Sequence, residues 1–177
     1  TMRFAHMSDC HIGAWNTHPE LRDLPIRAFE MAINECMKEK LDFIIIAGDL
    51  FDTSLPSVDL VARAVKKLRE CKDNDIPVYA IPGSHDYSPS GKTFLNVLDE
   101  GALIPLISKY EEKEGKIFLS YTTDKKTKTK MTGLLGRMGS LEKNMFSRLD
   151  RGIEKQDCFK IFVFHNGISE YMDSPDA

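Results

Sequence analysis

The sequence has 177 residues, of which 42% are apolar, and its 24 basic side chains nearly balance 27 acidic ones for a net charge of −3. This composition predicts a globular domain, excludes a disordered chain, and argues against a polycation that coats nucleic acid non-specifically. No apolar run approaches the ~18 residues of a membrane span, and no secretory signal pattern is present. We therefore expect a cytoplasmic protein with no membrane partner.

The four cysteines are scattered, without the C-x-x-C spacing of a zinc knuckle or a redox pair. Cys36 and Cys71 fall on the apolar faces of predicted helices, so we interpret them as core residues. This usage is typical of a reducing compartment.

Strand and helix patterns alternate along the chain and predict an α/β fold with right-handed crossovers. The run Phe43–Ala47 is apolar at every position, as in a parallel strand that is buried on both faces. Other short strands are predicted at residues 2–7, 78–81 and 160–164. Helical spacing of apolar residues predicts helices at 24–40, at 58–74 with Ser57 as a cap, at 92–100 and at 140–151.

The middle of the chain is less regular. Residues 117–121 and 131–136 resemble two strands of a hairpin, with the polar stretch 122–130 as a long mobile tip. This tip carries a small basic cluster, for which a solvated loop is favoured over a contact with the DNA backbone. The cluster consists of Lys125, Lys126, Lys128 and Lys130.

Acidic and histidine residues follow the ends of four predicted strands: Asp9 and His11, Asp49, His85, and His165. Because ligands bind at the carboxyl ends of strands in an open α/β sheet, these side chains can converge on one pocket. Oxygen and nitrogen ligands without thiolate favour manganese, iron or zinc. Two such ions, ~3.5–4 Å apart, would activate a water and hold phosphate oxygens for in-line displacement.

Hydrolysis of a phosphoester also requires a proton, or charge stabilisation, at the leaving oxygen. His85 is the candidate because imidazole titrates near neutral pH, and Asp86 beside it could orient or charge the ring. Trp15, in the loop after His11, could stack on a base, but a packing role is at least as compatible with its position.

With these motifs the chain resembles the calcineurin-like metallophosphoesterases, whose pattern is D-x-H, G-D, G-N-H-[DE], a later H, and G-H-x-H. The fuller strings GDLFD and HNGI are most similar to the SbcD-like nuclease subunit of the double-strand-break repair nuclease–ATPase complex. The matching residues, in order, are Asp9-Cys10-His11, Gly48-Asp49, Gly83-Ser84-His85-Asp86 and His165.

The resemblance implies a role for each residue. Asp9 and His11 would hold a first metal ion, Asp49 would bridge, His165 would hold the second ion, and His85 would be the catalytic histidine. It also implies a metallophosphoesterase-type β-sheet sandwich flanked by helices, two divalent ions that are most often Mn²⁺, and exo- and endonuclease activity on DNA. The implied partners are DNA, a coiled-coil ATPase subunit and, in the whole protein, a second copy of the chain.

Two departures from the family pattern affect these expectations. The metal-binding asparagine is replaced by Ser84, whose shorter hydroxyl is a weaker ligand, so the second ion is expected to bind more loosely or through water. No G-H-x-H motif follows His165. We therefore expect residues 1–177 to form the N-terminal part of the nuclease domain, truncated on the C-terminal side, without the cap domain, and with weak or no hydrolysis.

Two alternatives remain open from the sequence. One is a calcineurin-like phosphodiesterase that acts on a small nucleotide. The other is a catalytically weak relative that works by binding a partner, which Ser84 would permit.

Overall fold

The computed structural model describes residues 1–88, 90, 93–136, 143–152, 157–168 and 171. Strands and helices alternate in the first half of the chain, and short strands dominate the second half. In chain order the elements are β1 (Phe4–Met7), α1 (Leu24–Lys38), β2 (Phe43–Ala47), α2 (Val58–Asp73), β3 (Val78–Ile81), α3 (Phe94–Glu100), β4 (Tyr110–Lys113), β5 (Lys116–Leu119), β6 (Thr122–Thr123), β7 (Lys130–Gly133), α4 (Lys143–Ser147) and β8 (Lys160–Val163).

The first sheet is parallel, with strand order β1-β2-β3. Its central strand β2 is buried at all five positions, which confirms the prediction made from its uninterrupted apolar run. Parallel strands end at one edge of a sheet, so the loops that follow β1, β2 and β3 meet there.

Helices α1 and α2 cover one face of this sheet. In α1 the apolar residues Ile26, Phe29 and Ile33 recur at helical spacing and are buried against the sheet. Cys36 and Cys71 are buried in the same core, as their positions predicted. Ser57 occupies the N-cap of α2, although its side chain makes no capping hydrogen bond.

The second sheet has the order β6-β7-β8, with β6 antiparallel and β8 parallel to β7. A second apolar core, with Ile45, Tyr79, Met131 and Val163 among its members, lies between the two sheets. The molecule is therefore a sandwich of two sheets with helices on an outer face, and the predicted fold class is confirmed.

The predicted hairpin was wrong in its pairing. Residues 117–121 do not pair with β7, because β5 pairs with β4, a strand that the sequence analysis missed. Strand β4 reads YEEK and is largely exposed, so it lacks the apolar alternation by which half-buried strands are recognised. Strand β7 pairs instead with the two-residue strand β6.

The stretch predicted as a mobile tip is a hydrogen-bonded turn between β6 and β7. Asp124 is buried, its backbone N–H donates to the Thr129 carbonyl at 2.9 Å, and its carboxylate accepts from the Thr127 N–H at 2.7 Å. The basic cluster surrounds this turn, where Lys126 pairs with Asp42 at 2.7 Å. Asp42 precedes β2, so the cluster lies at the edge of the molecule opposite the strand ends that carry the predicted ligands.

The helix predicted at 140–151 is shorter in the structure. Residues 140–142 lie outside the described residues, α4 ends at Ser147, and Leu149 forms a β-bridge with Ile117. Among the helices of the described ranges, none is both long and apolar enough to cross a membrane.

Candidate metal centre

The loops that follow β1 and β2 run side by side and are joined through their backbones. The Asp9 N–H donates to the Gly48 carbonyl at 3.1 Å, and the His11 N–H donates to the Asp49 carbonyl at 3.0 Å. These bonds place three of the predicted side chains at one edge of the first sheet. Strand β8 ends beside them and adds His165.

Asp49 lies at the middle of the cluster and belongs to two groups of potential metal ligands. One group is His11, Asp49 and His85, and the other is Asp9, Asp49 and His165. The ligand atoms of each group lie within 4.8 Å of one another. A carboxylate shared between two such groups has the geometry of a bridging ligand, and oxygen and nitrogen donors of this kind fit a pair of divalent transition ions.

The grouping differs from the pairing that the resemblance implied, in which Asp9 and His11 share an ion. Both arrangements are compatible with the distances, because His11 Nε2 is 3.7 Å from Asp9 Oδ1 and 3.7 Å from Asp49 Oδ2. His165 Nε2 is 3.9 Å from the same Asp9 oxygen. All four side chains therefore surround one space, and the ion that each would hold stays a prediction.

Two glycines permit this close approach. A Cβ on Gly48, whose φ is +96°, would lie 2.5 Å from the His165 ring, and a Cβ on Gly83 would lie 2.2 Å from the Asp49 carboxylate. Asp9, His11 and Asp49 themselves have positive φ values of 54°, 42° and 52°. Such left-handed conformations are uncommon outside glycine and concentrate at functional sites.

The His165 ring is oriented by the protein before any ion binds. Its Nδ1 lies 2.8 Å from the Ala47 carbonyl, which can only accept, so Nδ1 carries the proton. Its Nε2 faces Asp49 Oδ2 at 3.2 Å. A metal-binding histidine is usually held in this way by a hydrogen bond from its second nitrogen.

Without metal, the two central side chains, His165 and Asp49, form an ion pair. The hydrogen bond to Asp49 raises the pKa of His165 from 6.5 to about 9, against the opposing effect of burial. Burial alone would raise the pKa of the Asp49 carboxyl, but hydrogen bonds from His165 and from the His85 backbone bring it below its usual value.

This pairing predicts a pH-dependent stability of the metal-free protein. A raised histidine pKa stabilises the fold below the unfolded value of 6.5, and that stabilisation is lost as the pH rises through about 9. The expected loss between pH 6.5 and about pH 10 is on the order of 2–3 kcal/mol. Urea unfolding with a chelator should show a smaller loss for His165→Asn than for the wild type. An equal loss in both proteins would contradict the pairing, and His6→Asn, on an exposed position of β1, is the control.

Asp52 is a site residue that the sequence analysis missed. Its Oδ1 lies 3.1 Å from His11 Nδ1 and 3.7 Å from His85 Nδ1. The carboxylate therefore directs His11 Nε2 towards Asp49 and lies beside the predicted catalytic histidine. The available signal was the string GDLFD, in which Asp52 follows Asp49 by three residues.

His85 is the most exposed histidine of the centre, with 44% of its side chain accessible. Its Nδ1 donates to the Asp52 carbonyl at 3.0 Å, and its ring meets the His11 ring edge-on at 4.8 Å between centroids. The Asp52 bond fixes the proton on Nδ1 and leaves Nε2 free for another partner. The position is suited to a group that exchanges a proton at the mouth of the site.

Among the described contacts, the Asp86 carboxylate bonds to backbone groups and not to the His85 ring. It is buried and accepts hydrogen bonds from the backbone N–H groups of Leu50, Phe51 and Gly83 at 3.1, 3.0 and 3.1 Å. Burial raises the pKa of the Asp86 carboxyl, partly offset by these bonds. The catalytic role predicted for Asp86 stays a prediction, and this geometry favours a role in holding the two loops.

For this reason we expect Asp86→Asn to lower the free energy of unfolding by about 2 kcal/mol, since one buried N–H loses a charged acceptor. The measurement is urea unfolding of the metal-free protein, with Asp73→Asn at the exposed end of α2 as the matched control. The control should change stability by no more than about 0.5 kcal/mol. Unchanged unfolding of Asp86→Asn would count against a structural role.

Ser84 lies next to the bridging carboxylate. Its hydroxyl is 3.4 Å from Asp49 Oδ2, a distance at which it can donate only a weak hydrogen bond. The residue thus lies beside Asp49 with a side chain shorter than that of asparagine, and its contribution to metal binding stays a prediction. Trp15 stands in the loop after His11, with 59% of the residue exposed and its ring edge-on to His18.

Comparison with known proteins agrees with this geometry. The family model described as calcineurin-like phosphoesterase matches residues 2–177. The chain belongs to this family.

Relatives of the chain carry the name DNA double-strand break repair protein Mre11. The protein from Saccharolobus solfataricus is 36% identical over 115 residues, which cover 63% of this chain and 30% of the relative. The protein from Methanococcus maripaludis is 26% identical over 181 residues, 97% of this chain and 45% of the relative. The protein from Aeropyrum pernix is 40% identical over 101 residues, 53% of this chain and 24% of the relative. The chain thus spans less than half the length of each of these proteins.

Proposed function

We propose that this chain is the metal-dependent hydrolytic part of a DNA exo- and endonuclease that acts in double-strand-break repair. The observation that carries the proposal is the single carboxylate, Asp49, shared between two groups of oxygen and nitrogen ligands. The similarity to repair proteins named Mre11 supports DNA as the substrate.

Two divalent ions bound at this centre would supply an activated water and neutralise the phosphate oxygens. A donor set of carboxylate and imidazole without thiolate is compatible with manganese, iron or zinc, and the resemblance to the repair nucleases makes Mn²⁺ the proposed ion. The two ions would be held by Asp9, His11, Asp49 and His165, and Ser84 would add a weak oxygen donor. Asp52 positions the imidazole rings of His11 and His85. His85, at the exposed mouth, interacts with the scissile phosphate and stabilises or protonates the leaving oxygen.

The proposed partners follow from the same resemblance. They are DNA, a coiled-coil ATPase subunit, and a second copy of the chain in the whole protein. Trp15 is exposed in the loop that follows His11, and single-stranded DNA can stack its bases on such an aromatic ring.

The test compares substrates for the whole protein with Mn²⁺. Linear duplex DNA, single-stranded DNA and a small nucleotide diester are incubated at equal phosphodiester concentration, and product is measured over time. Hydrolysis of DNA is expected to dominate. Hydrolysis of the small diester without cleavage of DNA would favour a small-molecule phosphodiesterase, and metal binding without hydrolysis of any substrate would favour a partner-binding role.

Ser84 gives a further prediction. Ser84→Asn places an amide oxygen nearer the bridging carboxylate and is expected to strengthen binding of the weaker Mn²⁺ ion by about tenfold. Calorimetric titration of the metal-free protein measures this change, and Ser84→Ala should weaken the same ion. Identical binding isotherms for all three proteins would show that residue 84 does not contribute to the shell.

A further inference from the structure

The side chains of the metal centre differ in what holds them. Among the predicted Asp and His ligands, Asp49 and His165 are the least exposed, with 3% and 16% of their side chains accessible. Each bonds to a backbone group: Asp49 Oδ1 accepts from the His85 N–H at 2.8 Å, and His165 Nδ1 donates to the Ala47 carbonyl at 2.8 Å. A backbone partner stays in place when side chains are replaced, so these two ligands are oriented by the fold itself.

Asp9 is the most exposed of these ligands, with 56% of its side chain accessible against 29% for His11. Its backbone is fixed, because its N–H donates to the Gly48 carbonyl at 3.1 Å. No backbone N–H donates to its carboxylate among the contacts of the described residues. The carboxylate therefore needs a side-chain partner if it is to keep one orientation in water.

Ser8 supplies that partner. Its hydroxyl donates a hydrogen bond to Asp9 Oδ2, since an ionised carboxylate can only accept. Hydrogen bonds to an ionised group are stronger than those between neutral groups. Ser8 is short and lies between two anchored residues, so its ordering costs little conformational entropy. Met7 before it pairs with Ile46 in the sheet, and Asp9 after it is bonded to the loop that follows β2.

The hydrogen bond from Ser8 gives the two oxygens of Asp9 different surroundings. Oδ2 is engaged by the Ser8 hydroxyl. Oδ1 faces the centre, where it lies 3.7 Å from His11 Nε2 and 3.9 Å from His165 Nε2. Asp9 therefore presents a single oxygen, Oδ1, to the space that the ligands surround.

The number of oxygens that a carboxylate offers affects which ion it binds best. Ca²⁺ takes about six to eight oxygen ligands and often uses both oxygens of one carboxylate. Smaller divalent ions have fewer coordination positions and shorter bonds, so a single well-placed oxygen suits them. A carboxylate held as Ser8 holds Asp9 is therefore better matched to the smaller ions.

From this arrangement we propose that Ser8 is a positioning residue of the metal centre. It turns Asp9 so that Oδ1 alone is offered to an ion, and it thereby favours smaller divalent ions over Ca²⁺. The inference rests on the proposed function, because it takes Asp9 as a metal ligand. Ser8 acts through Asp9 and does not itself coordinate the ion.

Calorimetric titration of the whole, metal-free protein tests this role, with Mn²⁺ as the ligand and Ca²⁺ as its competitor. Ser8→Ala is expected to lower the affinity for Mn²⁺ about tenfold, the usual order for loss of a group that orients a metal ligand. The affinity for Ca²⁺ should not fall, because the released carboxylate can offer both of its oxygens. The ratio of the Mn²⁺ affinity to the Ca²⁺ affinity therefore drops about tenfold.

Further variants isolate the effect of the hydroxyl. Ser8→Thr keeps the hydroxyl and should bind both ions as the wild type does. Ser57→Ala removes a hydroxyl at the N-cap of α2 that makes no capping hydrogen bond, and it should change neither affinity. Asp9→Ala and the double variant Ser8→Ala/Asp9→Ala should bind Mn²⁺ with the same reduced affinity, because Ser8 has no effect once the Asp9 carboxylate is absent.

A fall of the Mn²⁺ and Ca²⁺ affinities by the same factor in Ser8→Ala would overturn the proposal, as would weaker binding by the double variant than by Asp9→Ala. Wild-type binding by Ser8→Ala, alongside weak binding by Asp9→Ala, would refute the role of Ser8 and leave the proposed function intact. Wild-type binding by Asp9→Ala would instead remove Asp9 from the ligand set and count against the proposed function. Thermal unfolding of each metal-free variant checks that the fold is retained.

Discussion

Asp49→Asn is expected to remove both divalent ions from the centre and to reduce phosphodiester hydrolysis to background. The asparagine keeps the size of the side chain and can still accept from the His85 N–H, which lies 2.8 Å from Asp49 Oδ1. It loses the negative charge that both ligand groups share. We expect the affinity for Mn²⁺ at each position to fall by at least about a hundredfold.

Calorimetric titration with Mn²⁺ measures this loss without reference to activity. Asp42→Asn is the matched control, because Asp42 immediately precedes β2 and Asp49 follows it, at opposite ends of the strand. The control should retain the metal affinity of the wild type. Retention of one ion at full affinity by Asp49→Asn would show that the carboxylate does not bridge.

His85→Ala is expected to separate metal binding from hydrolysis. Removal of a general acid typically slows a reaction by about 10²–10⁴-fold, and the proposed ligands Asp9, His11, Asp49 and His165 remain in place. In the whole protein, hydrolysis of linear DNA with Mn²⁺ should fall within this range while Mn²⁺ affinity changes by about threefold or less. His6→Ala, on an exposed position of β1, is the control.

The role of His85 is contradicted if the variant cleaves DNA as fast as the wild type. A large loss of metal affinity would instead identify His85 as a ligand, which its place beside His11 and Asp49 permits.

The elements that were predicted well are those in which local pattern and tertiary burial agree. Strands β2 and β3 were predicted with their observed bounds because every position in them is buried, so the sequence contains an uninterrupted apolar run. The predicted ends of these two strands also located the loops that carry Asp49 and His85. Strand β4 was missed because its side chains face solvent, and β6 has only two residues.

The parts of the site that could not be predicted depend on contacts between distant residues. No local sequence pattern indicates where the Asp86 side chain is directed. Only the folded structure shows that its carboxylate accepts hydrogen bonds from the Leu50 and Phe51 N–H groups. Asp52 contacts His11 from 41 residues away, a relation that no local pattern encodes. The strand predicted to pair with β7 was wrong for the same reason, because strand pairing is decided by non-local contacts.

The hydrogen bonds around the centre have a consequence for how ions are taken up. The Ala47 carbonyl, the Asp52 carboxylate and the His85 N–H already hold the side chains of His165, His11 and Asp49, so the ordering of these three is completed when the chain folds. An incoming ion meets side chains that are already oriented and has to shed water and displace a proton. Uptake of an ion by the metal-free protein can therefore occur in the native state, at a rate that reflects the hydration of the ion and not the opening of the protein.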